Sequence, residues 1–249
     1  MARFPISDFV PPIIPRIKRL LDRSFGSQPR FHPFDQVPKD IRAKIVMDVG
    51  ANVGDVTLAA LKTYPDCHVI CFEPVDSTFE VLKKRLSSYE GRFTLHQQAL
   101  SSVNGVGEIN ITTFHGANSI SAQSKLHSEL NPHVKEIGKQ SISLVRLDDL
   151  MQHADLPRVD IMKIDVEGHE YDVIDGGRYF LRSQVDTILI EASLMRDLTW
   201  DRQSFIEVFS TLSDLGFRLI NAYDLHYVED ASLMCVQMDC VFRHRSKLT

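Results

Sequence analysis

Three carboxylates and one imidazole fall within residues 165–170, which read Asp-Val-Glu-Gly-His-Glu. This segment directly follows a run that is typical of a buried strand, and its glycine permits a turn into a helix. Clustered carboxylates repel one another and must be desolvated together, so a strand that serves only the core rarely ends in this way. Favourable charges at a helix N-terminus would explain Glu167 and Glu170, but they leave Asp165 and His169 unexplained. The segment therefore indicates a functional site.

A second candidate follows the apolar run 44–49, where the chain reads Asp48-Val49-Gly50-Ala51-Asn52-Val53-Gly54-Asp55. Glycines there let the backbone turn tightly and approach a ligand closely. Their spacing is not that of the dinucleotide fingerprint, and the two aspartates place negative charge where a pyrophosphate would lie. A phosphate-free cofactor with an ammonium and a sulfonium group, such as S-adenosylmethionine, fits this charge better. An ordinary tight turn between a strand and a helix is the alternative.

Glu73 ends the next predicted strand, 25 residues after Asp48. A carboxylate at this place can accept hydrogen bonds from both ribose hydroxyls of an adenosine ligand. NAD-dependent enzymes use an acid in the same way, so Glu73 supports adenosine binding without selecting the cofactor. The alternative is a solvated acid at the end of a strand.

The elements that must position these residues begin at residue 44, where predicted strands and helices start to alternate. Five strands are typical of a parallel sheet with helical crossovers, and the last two strands have no helix between them, which indicates an antiparallel pair. The predicted fold is an open, doubly wound α/β sheet. The predicted strands are 44–49, 68–73, 93–100, 160–165, 187–191, 217–223 and 238–243. Capping boxes at Ser77/Glu80 and Ser204/Glu207 predict two helix starts.

Residues 1–43 form a separate N-terminal extension in this interpretation, and residues 44–249 form the main domain. Seven of the eleven prolines fall in the first 38 residues, which is incompatible with regular strands and helices there. Apolar residues at helical spacing between positions 13 and 25, interleaved with arginine and lysine, predict one short amphipathic helix. We expect it to pack over the domain as a lid or a dimer contact; a peripheral anchor at an anionic membrane is the alternative.

Composition restricts the class of protein. The 249 residues are 43% hydrophobic and 24% charged, with a formal net charge of −5, which is typical of a globular domain and argues against a general nucleic-acid binder. No apolar run approaches the roughly 20 residues that span a bilayer. The four cysteines lack zinc-type spacing, so we expect free thiols in a cytoplasmic protein. A homodimer is left open.

Four segments together resemble the FkbM family of S-adenosylmethionine-dependent methyltransferases, in the expected order between about residues 44 and 243. The resemblance implies a class I, Rossmann-like sheet of seven strands, mostly parallel with the last strand antiparallel and with helices on both faces. It also implies O-methylation, commonly of sugar or polyketide-like hydroxyls, and hence a role in polysaccharide or natural-product biosynthesis. The segments are Asp48-Val49-Gly50-Ala51-Asn52-x-Gly54, Phe72-Glu73-Pro74, Leu147-Asp148-Asp149-Leu150 and Lys163-Ile164-Asp165-Val166-Glu167-Gly168-His169-Glu170.

The resemblance also implies roles for individual residues in binding S-adenosylmethionine. Glu73 holds the ribose, Asp48 is drawn toward the ammonium group, and Asp165 lies closest to the sulfonium and the methyl group. The methionine moiety is bordered by Gly50, Ala51, Asn52 and Gly54. The adenine is bordered by Gln98 and Ala99.

Methyl transfer to an alcohol requires in-line positioning and removal of the hydroxyl proton, for which a positioned base contributes about 10²–10⁴-fold. We expect Asp165 or His169 to accept this proton, with Glu167 and Glu191 orienting the site. The competing hypothesis is that Asp165, Glu167 and Glu191 hold a Mg²⁺ ion that polarises the hydroxyl. Residues 192–193 depart from the paired pattern of known magnesium-dependent methyltransferases, so we expect no metal.

Residues 114–121 supply candidates for acceptor binding, namely His115, Asn118 and Ser119, because small and hydrogen-bonding side chains suit a polyhydroxylated molecule. Any surface loop uses the same residue types. We expect a small-molecule or glycan acceptor. Two rival functions are a non-catalytic, cofactor-binding scaffold of a biosynthetic pathway and an NAD-linked oxidoreductase; the acidic segment argues against the first and the glycine spacing against the second.

Overall fold

The computed structural model describes residues 32–113, 115, 118–120, 133–153, 156–194, 205–228 and 234–248. The amphipathic helix predicted near residues 13–25 and the cap predicted at Ser204 lie outside these residues. Within the described part of the chain, no helix has the length and apolar character that crossing a membrane requires.

The elements alternate along the chain as expected. The strands are β1 (Ile45–Val49), β2 (His68–Phe72), β3 (Phe93–His96), β4 (Ala99–Leu100), β5 (Gly105–Thr112), β6 (Glu136–Val145), β7 (Val159–Ile164), β8 (Val185–Ser193), β9 (Phe217–Val228) and β10 (Met234–His244). The α-helices are α1 (Asp55–Thr63), α2 (Asp76–Leu86), α3 (Leu147–His153), α4 (Glu170–Gly176), α5 (Arg178–Gln184) and α6 (Phe205–Asp214).

Seven strands form the main sheet in the order β3-β2-β1-β7-β8-β10-β9. The pairs from β3 to β8 are parallel, and β10 runs antiparallel to both of its neighbours, β8 and β9. This confirms the predicted mostly parallel sheet with an antiparallel last strand. The strand order reverses between β1 and β7, and ligands of open α/β sheets bind beyond the carboxyl ends of the strands at such a switch point.

Each face of the sheet buries its own apolar core, which explains why the central strands read as nearly continuous apolar runs. The first core packs alternate strand residues such as Met162 and Ile164 against α3, α4, α5 and α6. The second core packs residues such as Ile161 and Leu189 against α1 and α2. Phe34 and Val37, which precede β1, are also buried in the second core. The helices therefore cover both faces, as predicted.

Two predicted details are wrong. The strand expected at 93–100 is two strands in different sheets, because Ala99 and Leu100 leave the main sheet and pair with β6 in a small sheet of order β4-β6-β5. The capping box expected at Ser77 and Glu80 does not form: α2 begins at Asp76, and no side-chain cap bonds its N-terminus.

Candidate active site

The glycine loop, residues 50–54, leaves the end of β1 next to the point where the chain leaves β7. Val49 and Ile164 are register partners, and the Asp165 N–H donates to the Val49 carbonyl oxygen at 3.1 Å. A Cβ atom added to Gly50 would lie 1.9 Å from the Asp165 carbonyl oxygen, where no side chain fits. The two predicted segments are therefore in direct backbone contact.

Three residues of the glycine loop have positive φ: Gly50 (80°), Asn52 (49°) and Gly54 (89°). Glycine adopts this region without strain, and asparagine tolerates it better than most residues. The backbone N–H groups of Gly50 and Ala51 both donate to the Phe72 carbonyl oxygen, at 3.0 Å each. This ties the loop to the end of β2.

Glu73 follows β2 and supports the glycine loop from below. Its Oε2 accepts a hydrogen bond from the Asn52 N–H at 2.9 Å, and its Oε1 accepts from the Val75 N–H at 2.9 Å and the Thr78 hydroxyl at 3.0 Å. Burial raises the pKa of Glu73, although these hydrogen bonds oppose the shift. A carboxylate oxygen can accept two hydrogen bonds, so Oε2 retains capacity for a ligand hydroxyl.

Asp48 and Asn52 both place side-chain hydrogen-bond acceptors in the corner that the glycine loop forms with the end of β2. Asp48 is 1% exposed, and its Oδ2 accepts a 2.5 Å hydrogen bond from the Thr57 hydroxyl. Burial raises the pKa of Asp48 from its usual 3.8 to about 6. Asn52 Oδ1 is buried and has no hydrogen-bond partner among the described residues. A buried acceptor without a partner is costly, and a ligand donor would satisfy it.

These groups fit S-adenosylmethionine by the chemistry of their donors and acceptors. The ligand carries an ammonium group and two ribose hydroxyls, all of which donate, and the corner offers carboxylate and amide oxygens. A pyrophosphate would instead face Glu73 and Asp48. The corner is therefore suited to a nucleoside that carries positive charge.

The acid turn, residues 165–170, is shaped by its own carboxylate. Glu167 and Gly168 have positive φ, at 52° and 93°, and Glu170 Oε1 accepts from the N–H groups of Val166 (3.2 Å) and Gly168 (3.1 Å). Glu170 thus closes the turn at the start of α4. The Ser119 hydroxyl donates to the Glu167 carbonyl oxygen at 2.9 Å, which attaches the 118–120 segment to the acid turn.

A buried lysine lies beside the acid turn. Lys163 Nζ is 3.3 Å from Asp165 Oδ2 and 3.8 Å from Asp239 Oδ1, while the side chain of Lys163 is only 6% exposed. Asp239 is the register partner of Glu191 across β10 and β8. Burial by itself lowers the pKa of Lys163, but these three carboxylates raise it and their effect is larger.

Glu167 and Glu191 are the carboxyl groups that resist ionisation most. Burial raises the pKa of both well above the usual range, and the charges of Asp165 and Glu170 raise it further, whereas Lys163 lowers it; Glu191 also raises the pKa of Glu167, and Asp239 that of Glu191. The sequence interpretation missed Lys163 and Asp239. The i, i+2 spacing of Lys163 and Asp165 places both on one face of β7 and was a usable signal. No local pattern marks Asp239.

The other predicted catalytic residue, His169, is held by α4. Its Nδ1 lies 3.1 Å from Asp172 Oδ2, and Asp172 Oδ1 accepts from the Ser102 hydroxyl at 2.7 Å. His169 is 7% exposed, whereas the Asp165 side chain is 35% exposed. Asp165 is therefore the more accessible of the two predicted bases.

The predicted acceptor-binding residues lie beside both the glycine loop and the acid turn. The His115 carbonyl oxygen accepts from Asn52 Nδ2 at 3.4 Å. Asn118 Oδ1 accepts from the Thr112 N–H at 2.8 Å. Of the residues predicted near the adenine, Ala99 lies in β4, and Gln98 Nε2 donates to Ser143 Oγ at 3.3 Å.

This sheet order, with the glycine loop after β1 and a buried acid after β2, defines a class I methyltransferase fold. The solved structures agree. "Methyltransferase FkbM from Methylobacillus flagellatus KT" superposes with a TM-score of 0.51 at 13% identity, covering 86% of this chain and 48% of that one. An identity this low supports the fold alone.

Residues 48–219 match the family model described as "Methyltransferase FkbM domain". The chain therefore belongs to the FkbM methyltransferase family. It is 29% identical over 141 residues to the 2-O-methyltransferase NoeI of Sinorhizobium fredii, covering 54% of this chain and 57% of NoeI. It is 27% identical over 147 residues to the hexuronic acid methyltransferase AglP of Haloferax volcanii, covering 59% of this chain and 55% of AglP. The matched regions thus span little more than half of these relatives.

Proposed function

We propose that this protein transfers the methyl group of S-adenosylmethionine to a hydroxyl of a sugar or a related natural-product acceptor. The observation that carries the proposal is the meeting of two segments at the switch point: the glycine loop, supported by Glu73, contacts the backbone of Asp165. One segment offers acceptors for a cationic nucleoside, and the other places a carboxylate beside it.

In this proposal Asn52 and Glu73 hold the amino-acid and ribose portions of the cofactor, and Asp165 faces its sulfonium. The cofactor supplies an electrophilic methyl group. The protein must hold the acceptor oxygen about 3 Å from that carbon, opposite the sulfur. We assign removal of the hydroxyl proton to Asp165, because it is more exposed than His169 and its Oδ2 lies 3.3 Å from Lys163 Nζ.

The names of two relatives and the charge of the acid turn support the proposed acceptor class. NoeI is named a 2-O-methyltransferase and AglP a hexuronic acid methyltransferase, so both a hydroxyl and an acidic sugar have precedent among similar proteins. Here Asp165, Glu167 and Glu191 lie together, and the pKa of the two glutamates is raised by burial first and then by repulsion from neighbouring carboxylates, among them Asp165 and Glu170. An anionic acceptor would add to that repulsion, which favours an uncharged hydroxyl acceptor.

The direct test is Asp165→Asn, assayed with labelled S-adenosylmethionine and a panel of glycosides. We expect turnover to fall at least about 100-fold, because a positioned base contributes at least that much, while affinity for S-adenosylhomocysteine stays within about tenfold. Asp66→Asn, which removes an exposed partner of Lys44, is the matched control and should change neither quantity. Near-normal turnover of Asp165→Asn would refute the assigned role.

The same assays separate the rival functions. Tight cofactor binding without transfer to any acceptor would indicate a scaffold, and binding of NAD in place of S-adenosylhomocysteine would indicate an oxidoreductase. Full activity in excess EDTA would exclude a magnesium-dependent reaction. Loss of activity that Mg²⁺ restores would assign the acid turn to metal binding.

A further inference from the structure

The Lys163 side chain connects the end of β7 with the middle of β10, two strands apart in the sheet. Lys163 and Asp165 lie on the same face of β7 because strand residues two apart share a face. The face is that of the second core, which contains Ile161 of β7 and Leu189 of β8. The ammonium reaches across β8 to Asp239 of β10, so it passes below the position of Glu191, the register partner of Asp239.

The titratable groups around this ammonium are mainly carboxyl groups. Carboxyl groups face it from every strand that flanks it: Asp48 from β1, Asp165 from the end of β7, Glu191 from β8 and Asp239 from β10. Glu167 adds a further carboxyl from the acid turn, and the Tyr223 hydroxyl of β9 also interacts with Lys163. Carboxyl groups crowded in this way share protons unless a cation stabilises the ionised form.

Asp165 is the member of this group that the ammonium approaches most closely, at 3.3 Å, compared with 3.8 Å for Asp239. A buried ammonium with two carboxylate partners has little freedom, since breaking either contact leaves a charge unpaired in a low-dielectric site. The contact therefore limits the rotamers available to Asp165 and keeps its Oδ2 beside the Lys163 ammonium.

We propose that Lys163 is a positioning residue that holds the Asp165 carboxylate in place so that it faces the sulfonium. The inference rests on the proposed function, because it assumes that the cofactor sulfur lies beside Asp165. Lys163 itself contacts neither cofactor nor acceptor in this role. It acts through Asp165.

The test compares the affinities of Lys163→Met and the wild type for S-adenosylmethionine and S-adenosylhomocysteine by calorimetry, without any acceptor. The two ligands differ in the positive charge on sulfur, so the ratio of their Kd values reports an ionised carboxylate beside it. We expect Lys163→Met to lower the preference for S-adenosylmethionine by about tenfold, as Asp165→Asn should, because the Asp165 carboxylate is then free to turn away from the sulfur. Lys163→Arg should retain the wild-type ratio within about threefold.

The direction in which the ratio of the two Kd values changes distinguishes the alternatives. If Lys163 were only a nearby positive charge, removing it would raise the preference for the cationic ligand. If its role were structural, Lys163→Met would weaken both ligands equally and leave the ratio unchanged. Either result overturns the proposal. Lys139→Met, which breaks the exposed pair with Glu108, is the control for loss of a lysine ion pair.

Two further measurements keep the inference separable from the proposed function. If Lys163→Met does not fold, Lys163→Gln serves in its place, because an amide can retain a polar contact at the buried site. Where an acceptor is available, the kcat of the Lys163 variant should be about 100-fold lower than that of the wild type, and its KM for the acceptor should stay within about threefold of the wild-type value. A wild type that bound neither ligand would refute the proposed function and the role of Lys163 together, whereas an unchanged or increased ratio in a binding variant would refute only the latter.

Discussion

The two halves of the candidate active site differ in the groups that form them, which are mainly backbone groups in one half and charged side chains in the other. At the ends of β1 and β2, the site is shaped mainly by the backbone. Three residues of the glycine loop have positive φ angles, and Glu73 accepts hydrogen bonds from two backbone N–H groups and one hydroxyl. At the carboxyl ends of β7 and β8 and at Asp239 in the middle of β10, charged side chains surround one ammonium. We infer that the first half is sensitive to added atoms and the second to altered charge.

The largest effect should come from adding one methyl group to the backbone-built half. Gly50→Ala places a Cβ 1.9 Å from the Asp165 carbonyl oxygen at a φ of 80°, so the backbone of β1 or β7 must shift. Gly91→Ala is a matched control with a φ of 81° and nothing within 4 Å. We expect Gly91→Ala to cost about 1–2 kcal/mol of unfolding free energy and Gly50→Ala about 1–3 kcal/mol more, with loss of S-adenosylhomocysteine binding.

Equal costs for the two variants, measured by urea unfolding, would show that the close approach of the two segments is not rigid. The half of the site at the ends of β1 and β2 would then tolerate added atoms.

The next effect concerns pH and the buried Asp48. Its pKa is raised from 3.8 to about 6 by burial, so between these values the folded protein binds more protons than the unfolded chain, and the stability from this group falls as pH rises. The stability of Asp48→Asn should lack this dependence on pH. Its free energy of unfolding should therefore rise relative to that of the wild type by a few kcal/mol between about pH 4 and pH 7. Urea unfolding at several pH values measures the difference; parallel curves would contradict it.

Exchanging one carboxylate for an amide in each half sharpens the contrast. Glu73→Gln replaces a charged acceptor of N–H bonds by a neutral one, so we expect affinity for S-adenosylhomocysteine to fall by about 10- to 100-fold. Glu191→Gln should leave that affinity within about threefold, because its carboxyl group already resists ionisation, and should act mainly on kcat. Calorimetry combined with steady-state kinetics separates the two. Equal losses of affinity would mean that the halves are not distinct.

The smallest expected effect concerns acceptor charge. A glycoside and its uronic-acid counterpart differ by one carboxylate, and a like charge several ångströms from the acid turn costs about 1 kcal/mol or more at a partly solvated site. We therefore expect kcat/KM to favour the neutral acceptor by about tenfold, and high salt to reduce the preference. A preference for the uronic acid would refute an uncharged acceptor.

Much of the fold could be predicted from the sequence because its signals are local. Buried parallel strands read as apolar runs, as in β1 and β7, and the absence of a helix pattern before β10 indicated the antiparallel pair. The strand expected at 93–100 failed because which sheet a short apolar run joins depends on a distant partner, here Leu144 and Val145 of β6. The capping box failed because the local pattern of Ser77 and Glu80 does not report the competing contacts of Glu73.

The site divides in the same way. The residues that end the strands at the switch point are evident from the chain alone, since the glycine loop, Glu73 and Asp165 each follow a recognisable apolar run. Their electrostatics depend on the folded arrangement. Burial and the separation of charges depend on strands far apart in the chain, so the pairing of Lys163 with Asp239 could not be read from any local pattern, whereas the i, i+2 spacing of Lys163 and Asp165 is a local signal.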